Sequence, residues 1–400
     1  MSPHYQGTVM HSLFSARDPE YHRNLKRPVG QMFSMANMRK YEPYADECSG
    51  IFIKRMREME GQQVDLSTWL QWYAFDVIAC ITFQRRFGFM EEGRDVNQMI
   101  GSLDGIFQYV KVVGQYPGLH PYLMGSETFA RIVMKLFPAF PDPVRSFLQI
   151  TEDEIVRYDT DEKKQAGRTD FLAQLREKEA EGGQMTHRAM MNHLSNNLLA
   201  GSDTTAISLR ACFYYLIKNP RTYQNLVTEI DEADKRGQLS TYVTYEECLR
   251  LPYLQAVMKE ALRMHPGVGF PLERYVPREG ATICDIKIPP GTIVSVSANV
   301  IHMDKEVFGE DADRFRPERW IDVSPEQLKL MDRSFLAFGH GTRTCIGKNI
   351  SILEMGKFIP QIFRHFDLEW ASTEPEWKTE AAWFWKQWGM IVRFRWRGKG

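Results

Sequence analysis

Cys345 lies near the end of the run Phe338-Gly339-His340-Gly341-Thr342-Arg343-Thr344-Cys345-Ile346-Gly347, whose residue types and spacing suit the holding of a metal. The run reads as a short loop that presents one thiolate and then enters a helix. Gly341 and Gly347 supply the positive-φ or close-approach positions that a tight loop against a flat cofactor needs. Unpaired N–H groups and the positive end of the following helix stabilise a thiolate there and lower its pKa. Arg343, two residues before the cysteine, is placed to meet an anionic edge of the same cofactor, such as a propionate. Iron held by such a sulfur is electron-rich enough to break an O–O bond. An isolated cysteine among the six of this chain would read as a small buried hydrophobe. Here Phe338, Gly341, Arg343, Cys345 and Gly347 fill all five fixed positions of Phe-x-x-Gly-x-Arg-x-Cys-x-Gly.

A second group is Ala200-Gly201-Ser202-Asp203-Thr204-Thr205, a run of poor helix formers in the middle of a long helical pattern. Thr204 can donate its hydroxyl to the carbonyl four residues earlier, which bends a helix and opens a groove. Such a groove admits dioxygen and a water, with Asp203 feeding protons inward. The plainer alternative is a solvated polar patch, but apolar segments flank this one. Glu260 and Arg263 share a helix face at i and i+3. Glu-x-x-Arg occurs five times in the chain, so context selects this pair: an apolar helix, then His265-Pro266, then Phe315-Arg316-Pro317-Glu318-Arg319-Trp320. His22 and Lys26 sit one helical turn apart in a basic stretch that is equally readable as a solvated face.

The cysteine run resembles the haem-binding signature of the cytochrome P-450 family, and the other motifs follow in the family's order over almost the whole chain. Phe270-Pro271-Leu272-Glu273-Arg274-Tyr275 and Lys348-Asn349-Ile350-Ser351 are similar to the fungal branch of pisatin demethylases and secondary-metabolite oxygenases. The resemblance implies haem b with Cys345 as the axial thiolate, and Phe338, Arg343 and Gly347 as haem contacts. It implies His22, Lys26 and Arg274 as propionate partners, with Lys26 standing where the family usually has Arg. It implies a buried triad of Glu260, Arg263 and Arg319 that holds the cysteine loop. Asp203 and Thr204 match the family's acid–threonine pair that delivers protons for O–O cleavage. Substrate lining falls on Asn196, Asn197, Ala200, Val268, Gly269, Phe270 and the turn at Trp385 to Trp388, with Gly267 and Gly269 letting the backbone approach a bulky ligand. The apolar wall suits a lipophilic substrate. The implied activity is monooxygenation of a polyketide, terpenoid or phenolic in secondary metabolism or detoxification. Electrons come from NADPH through NADPH-cytochrome P-450 reductase. A haem-thiolate isomerase or dehydratase, and a truncated haem-fold protein without turnover, remain alternatives.

The elements that must position these residues are helical. Apolar residues at three- and four-residue steps predict helices over 44–59 and 66–83. Thr186 caps a long helix to Asn219, and a second runs from Pro252 until Pro266 stops it. Prolines break 101–143 into short pieces, and 159–169 reads as an exposed loop. Between 281 and 300 two strands surround Pro289-Pro290-Gly291, and a terminal strand follows Met390. The expected fold is mainly α, the cytochrome P-450 fold, a triangular helical prism with a small β lobe over 1–400. The usual N-terminal anchor and first sheet strands are expected to be missing. Apolar content of 43%, charged content of 25% and a net charge of −1 fit an ordinary globular monomer without a nucleic-acid partner. No C-x-x-C suggests a zinc site, and no apolar run reaches the eighteen residues of a membrane span. The resemblance implies the surface of the endoplasmic reticulum; the chain as written reads as cytoplasmic or peripheral. The sequon at Asn349 opens a packed helix and is expected to be unmodified.

Overall fold

The computed structural model describes residues 4–136, 143–160, 167–182 and 185–398. Twelve helices of eight or more residues carry these parts of the chain. Helix α1 (Pro19–Lys26) is capped by Asp18, whose carboxylate accepts from the Tyr21 N–H at 2.6 Å. Next come α2 (Glu42–Glu58) and α3 (Leu66–Phe83), close to the predicted bounds. Every residue of α3 except Thr68 is buried, the state expected of a helix apolar on all sides. Helices α4 (Met99–Val113) and α5 (Glu127–Leu136) correct the expectation of short pieces over 101–143. Met99, Leu103 and Phe107 give α4 an apolar stripe at four-residue steps, which outweighs the helix-breaking tendency of Gly101 and Gly105. Pro138 and Pro141 lie outside the described residues, and Pro143 opens α6 (Pro143–Thr160). The loop expected over 159–169 therefore begins as helix; residues 161–166 lie outside the description.

After α7 (Phe171–Ala180), Thr186 caps α8 (His187–Lys218), its Oγ1 accepting from the Ala189 N–H at 3.2 Å. Pro220 does more than follow that helix, since it takes the first position of α9 (Pro220–Lys235), where its missing N–H costs nothing. Helix α10 (Pro252–Met264) stops with His265 outside the helical region, at φ −140° and ψ 77°, as the ring of Pro266 disfavours helical geometry there. The last two are α11 (Pro325–Ser334) and α12 (Lys348–His365).

The strands are short. The pair β1 (His4–Tyr5) and β2 (Thr8–Val9) precedes α1, and β3 (Val64–Asp65) leads into α3. In the middle lie β4 (Leu272–Tyr275), β5 (Ala281–Ile283), β6 (Ile286–Ile288) and β7 (Ile293–Val296). The hairpin β5–β6 turns at Cys284-Asp285, both left-handed, rather than at Pro289-Pro290-Gly291. That second turn instead leads into β7, which pairs with β4. Three strands where two were expected thus reflect two turn signals, of which only the proline one is conspicuous in sequence. At the end are β8 (Phe366–Trp370), β9 (Lys378–Ala381), β10 (Trp385–Trp388) and β11 (Ile391–Trp396). The terminal strand β11 lies between β3 and β8, with Val392 opposite Trp370 and Ile391 opposite Asp65.

One continuous core surrounds α3, α8 and α12. Helix α8, roughly 48 Å long at 1.5 Å per residue, packs along α3 so closely that a Cβ at Gly201 would stand 2.8 Å from Cδ1 and Cγ1 of Ile78. Gly201 is in the helix because α3 needs the space. Gly201→Ala is expected to cost about 1–3 kcal/mol by overpacking, and Ile78→Ala in the same chain to recover part of it. Chemical denaturation of the two single variants and the double variant measures both terms.

Candidate active site

Two turns shape the loop before α12. Gly339 and Gly341 both adopt φ near +71°, and the Cys345 N–H closes the loop onto the Phe338 carbonyl at 2.8 Å. Gly347 has negative φ, which corrects part of the expectation; it serves close approach instead, since a Cβ there would lie 3.9 Å from the Cys345 sulfur. Cys345 is an exposed residue, whereas Cys48, Cys80, Cys212 and Cys248 are buried in the core. Protein nevertheless encloses most of its surroundings, and this desolvation raises the thiol pKa; the N–H groups of Gly347 and Lys348 and the Lys348 charge pull it down by less. The expected lowering by the helix start is therefore outweighed in the protein alone. A metal cation on the sulfur reverses that balance, because a coordinating thiol is deprotonated outright.

Cations gather beside this loop. Arg343 donates to the Ala16 carbonyl at 2.7 Å, and Lys26 on α1 donates to the Thr342 carbonyl at 3.3 Å. Desolvation first, then the neighbouring Arg343 and Lys26 charges, lower the pKa of the buried His22. Desolvation first, then Arg274 on β4, lower that of Arg343. None of the four has a carboxylate partner among the described residues: Arg274 bonds only the Glu273 carbonyl. Three mutually repelling cations, with the imidazole of His22 beside them, around a loop carrying Cys345 form a donor set for a planar, anionic metal cofactor. The residues present fit a haem with its propionates.

Helix α8 is buried through most of its middle but partly open along Asn196, Asn197, Ala200 and Thr204, three and four residues apart and so on one face. The Thr204 hydroxyl donates to the Ala200 carbonyl at 2.7 Å. Asp203, one residue earlier and so about 100° around the helix, is fully buried and makes no bond to Thr204. Its Oδ1 accepts from Gln71 of α3, and its Oδ2 lies 3.2 Å from Nζ of Lys386 on β10. Thr205 ties α8 to α12: its hydroxyl is 2.7 Å from that of Ser351, six residues beyond Cys345. This bond brings the polar patch beside the cysteine loop, and no sequence pattern announces it.

Val268, Gly269 and Phe270 are partly exposed on the segment between α10 and β4. Gly269 makes its close approach to protein: a Cβ there would meet Ala381 Cβ at 3.1 Å. Gly267 accepts the Trp385 N–H at 3.0 Å. Trp385 begins a strand, not a turn, and its indole stacks on His265 at 4.1 Å, which gives it a packing role on that side. The buried Asn197 Nδ2 and His193 Nε2, one turn apart on α8, have no partner. Asn349 donates to the Phe33 carbonyl at 2.8 Å.

Behind the loop, Glu260 accepts both Nε and Nη2 of Arg263 at 2.8 Å and Nε of Arg319 at 3.2 Å. Trp320 Nε1 at 2.9 Å and the Arg316 N–H at 3.0 Å complete its shell. The route from this cluster to the cysteine loop passes through His302, which sequence reasoning missed because a lone histidine in a loop carries no pattern. His302 Nδ1 lies 2.9 Å from the Arg263 carbonyl, and Nε2 accepts the Leu336 N–H at 2.8 Å, two residues before Phe338. Burial lowers its pKa to about 4, so the neutral ring donates from Nδ1 and accepts at Nε2.

A sequence model of the cytochrome P-450 family matches residues 4–390. The cytochrome P-450 monooxygenase cicH of Emericella nidulans is 37% identical over 393 residues, 96% of this chain and 76% of that protein. A pisatin demethylase of Fusarium vanettenii is 37% identical over 381 residues, 93% of this chain and 71% of that protein. Among solved structures, a cytochrome P-450 DA heme domain superposes with a TM-score of 0.80 at 18% identity, covering 96% of this chain and 80% of that one.

Two outcomes follow from the buried cluster. Glu260→Ala strands two buried guanidiniums and is expected to cost about 3–5 kcal/mol, far more than Glu310→Ala at an exposed pair. Because the folded-state pKa of His302 is depressed to about 4, its contribution is whole above the unfolded value near 6.5 and is lost as pH falls toward 4. The loss is roughly 3 kcal/mol. Denaturation midpoints between pH 7.5 and 4.5 are expected to fall less steeply in His302→Gln, with His193 and His265 keeping their share of the slope.

Proposed function

The chain belongs to the cytochrome P-450 family of haem-dependent monooxygenases, and from that premise we propose a lipophilic small molecule of fungal secondary metabolism or detoxification as its substrate. Polyketides, terpenoids and phenolics are the classes that suit a wall of Ala200, Val268, Gly269 and Phe270 with Asn196, Asn197 and Thr204 as its polar contacts. The observation that supports the reading is the Thr205–Ser351 bond, which joins the polar stretch of α8 to α12 six residues beyond the exposed Cys345.

In this reading Cys345 holds haem iron, Phe338 and Gly347 flank it, and His22, Lys26, Arg274 and Arg343 receive the propionates. The haem supplies dioxygen activation and transfer of one oxygen atom to carbon, with the thiolate pushing electron density toward O–O cleavage. The protein's own part is to move protons and exclude water. Thr204 keeps its hydroxyl proton on the Ala200 carbonyl and frees it by breaking that single bond. Asp203 is the acid that resupplies it, after turning away from Gln71 and Lys386. Asn196, Asn197, Ala200, Val268 and Phe270 orient the substrate, the unpartnered Asn197 amide offering a polar contact. Glu260, Arg263 and Arg319 stay outside the chemistry and fix the cysteine loop. Retention of both Asp203 and Thr204 favours oxygen insertion over an electron-free isomerisation or dehydration.

Electrons come from NADPH through NADPH-cytochrome P-450 reductase, and the protein works as a monomer at the surface of the endoplasmic reticulum. Supporting that location, Val112, Tyr116, Leu119, Tyr122, Ile132 and Leu136 form exposed apolar surface around α4 and α5. No described helix is long and apolar enough to cross a membrane.

The reduced, haem-loaded protein under carbon monoxide is expected to show the red-shifted Soret band of thiolate ligation, and Cys345→Ser to lose it. An unshifted band in the parent chain defeats the proposal. Thr204→Ala is expected to retain haem while reducing equivalents leak to peroxide and product formation falls by about 10²-fold or more, the range of one proton-transfer group. Unchanged coupling removes Thr204 from the relay.

A further inference from the structure

Helix α4 is fastened to the β9–β10 hairpin mainly by charge. Asp104 pairs with Lys386, Lys111 pairs with Glu380, and Gln108 Nε2 donates to Glu380 at 3.3 Å. The apolar part of this contact is Phe107 against Phe384, with ring centroids 4.6 Å apart. The hairpin is held from behind by other means. Gln387 Nε2 donates to the Ile207 carbonyl of α8 at 3.0 Å, Trp385 bonds Gly267, and Val268 bridges Phe384. The hairpin is thus part of the fixed body, and α4 rests on it through pairs that water can reach.

One of those pairs is shared. Lys386 touches the surface carboxylate of Asp104 and the fully buried carboxylate of Asp203, with side-chain exposures of 16%, 51% and 0% respectively. The ammonium hydrogen-bonds Asp104 and meets Asp203 Oδ2 as a charge contact without a hydrogen bond, so the two acids divide one positive charge unequally. We propose that Lys386 couples the docking of α4 to the freedom of Asp203, so that the acid is released for proton delivery only while α4 is seated over the site. With α4 seated, Asp104 draws on Lys386 and loosens its hold on Asp203. With α4 lifted, Lys386 commits to Asp203 and pins it away from Thr204. Coupling of this kind is reciprocal: the Asp104 contact weakens the Asp203–Lys386 contact by the same free energy as the Asp203 contact weakens the Asp104–Lys386 one. Lys386 is therefore a positioning residue. Its role in turnover rests on the reading of Asp203 as the proton source, whereas its role in seating α4 does not.

The test is hydrogen–deuterium exchange of peptides spanning 99–113 in the haem-loaded protein, which needs no turnover. Asp104→Asn and Lys386→Met are expected to speed exchange about fivefold, the worth of one partly exposed ion pair, and Lys386→Arg to stay near the parent. Asp203→Asn, which does not touch α4, is expected to slow exchange. Should that variant not fold, Gln71→Leu provides the opposite sign, because Asp203 then leans harder on Lys386 and α4 loosens. Exchange that is unchanged or shifted the wrong way in whichever of these two is measured overturns the shared charge. Product formed per reducing equivalent in Asp104→Asn separates the two layers. A fall supports the whole proposal, and no change leaves α4 seating intact but overturns the link to proton delivery.

Discussion

Glu260 is a carboxylate without access to water, and much of the segment from His302 to Cys345 is arranged by the groups that neutralise it. Alone in that interior it would cost several kcal/mol. Arg263, Arg319, Trp320 and the Arg316 N–H cover both its oxygens. The two guanidiniums then turn their remaining N–H groups outward to the carbonyls of His302, Phe308, Asp311, Ala312 and Arg314. Irregular backbone has no ladder of its own, and buried carbonyls must be paired. The arginines do for this segment what a sheet does elsewhere. His302 carries the same constraint one step further, to the Leu336 N–H at the root of the cysteine loop.

Helix α8 resolves a conflict between core and chemistry. Its residues must pack on α3 and α12, yet its middle holds Gly, Ser, Asp and Thr. Three hydroxyls bond back to the carbonyl four residues earlier: Ser202 to Leu198, Thr204 to Ala200 and Ser208 to Thr204, at 2.7–2.9 Å. Those three hydroxyls are satisfied within the helix, so none of them needs water. Thr205 instead pairs with Ser351 of α12, and Asp203 takes its neighbours from α3 and β10. The helix stays regular through the patch, so the open face comes from what packs around it and not from a break in its own hydrogen bonds.

Legibility in the sequence followed the range of the interactions. Thr186, Pro252 and Pro266 act within a few residues of themselves, and the ends of α8 and α10 fall where they predict. Glu260 with Arg263 is local in the same way, and the segment Phe315-Arg316-Pro317-Glu318-Arg319-Trp320 points to the link with Arg319. His302, the Thr205–Ser351 bond and Lys386 join residues 34 to 183 positions apart through single side chains, and such pairings leave no periodicity. Met99–Val113 was misread because Gly101 and Gly105 speak locally against helix, while Leu103 and Phe107 gain their weight only from what they pack on. At Gly269 the residue type was informative but its neighbour was not: the small side chain accommodates Ala381, a contact of tertiary origin.

The chain uses arginine in two ways, and the contrast locates the work of the protein. Around Glu260 every charge has its counter-charge, so the cluster explains itself as structure. Around the cysteine loop, Arg343, Arg274 and Lys26 meet only backbone carbonyls among the described residues, with His22 within reach of the Arg343 and Lys26 charges. Their mutual field depresses the pKa of His22 and Arg343, after the larger effect of desolvation. Holding like charges together lowers stability, and their unshared N–H groups gain nothing from the protein. Costs of that kind are kept where a ligand offsets them. A dianion laid across α1, β4 and the cysteine loop would offset the three cations at once and accept from His22. It also links three elements that have few other reasons to meet, so cofactor binding is expected to be part of what holds this side of the fold together.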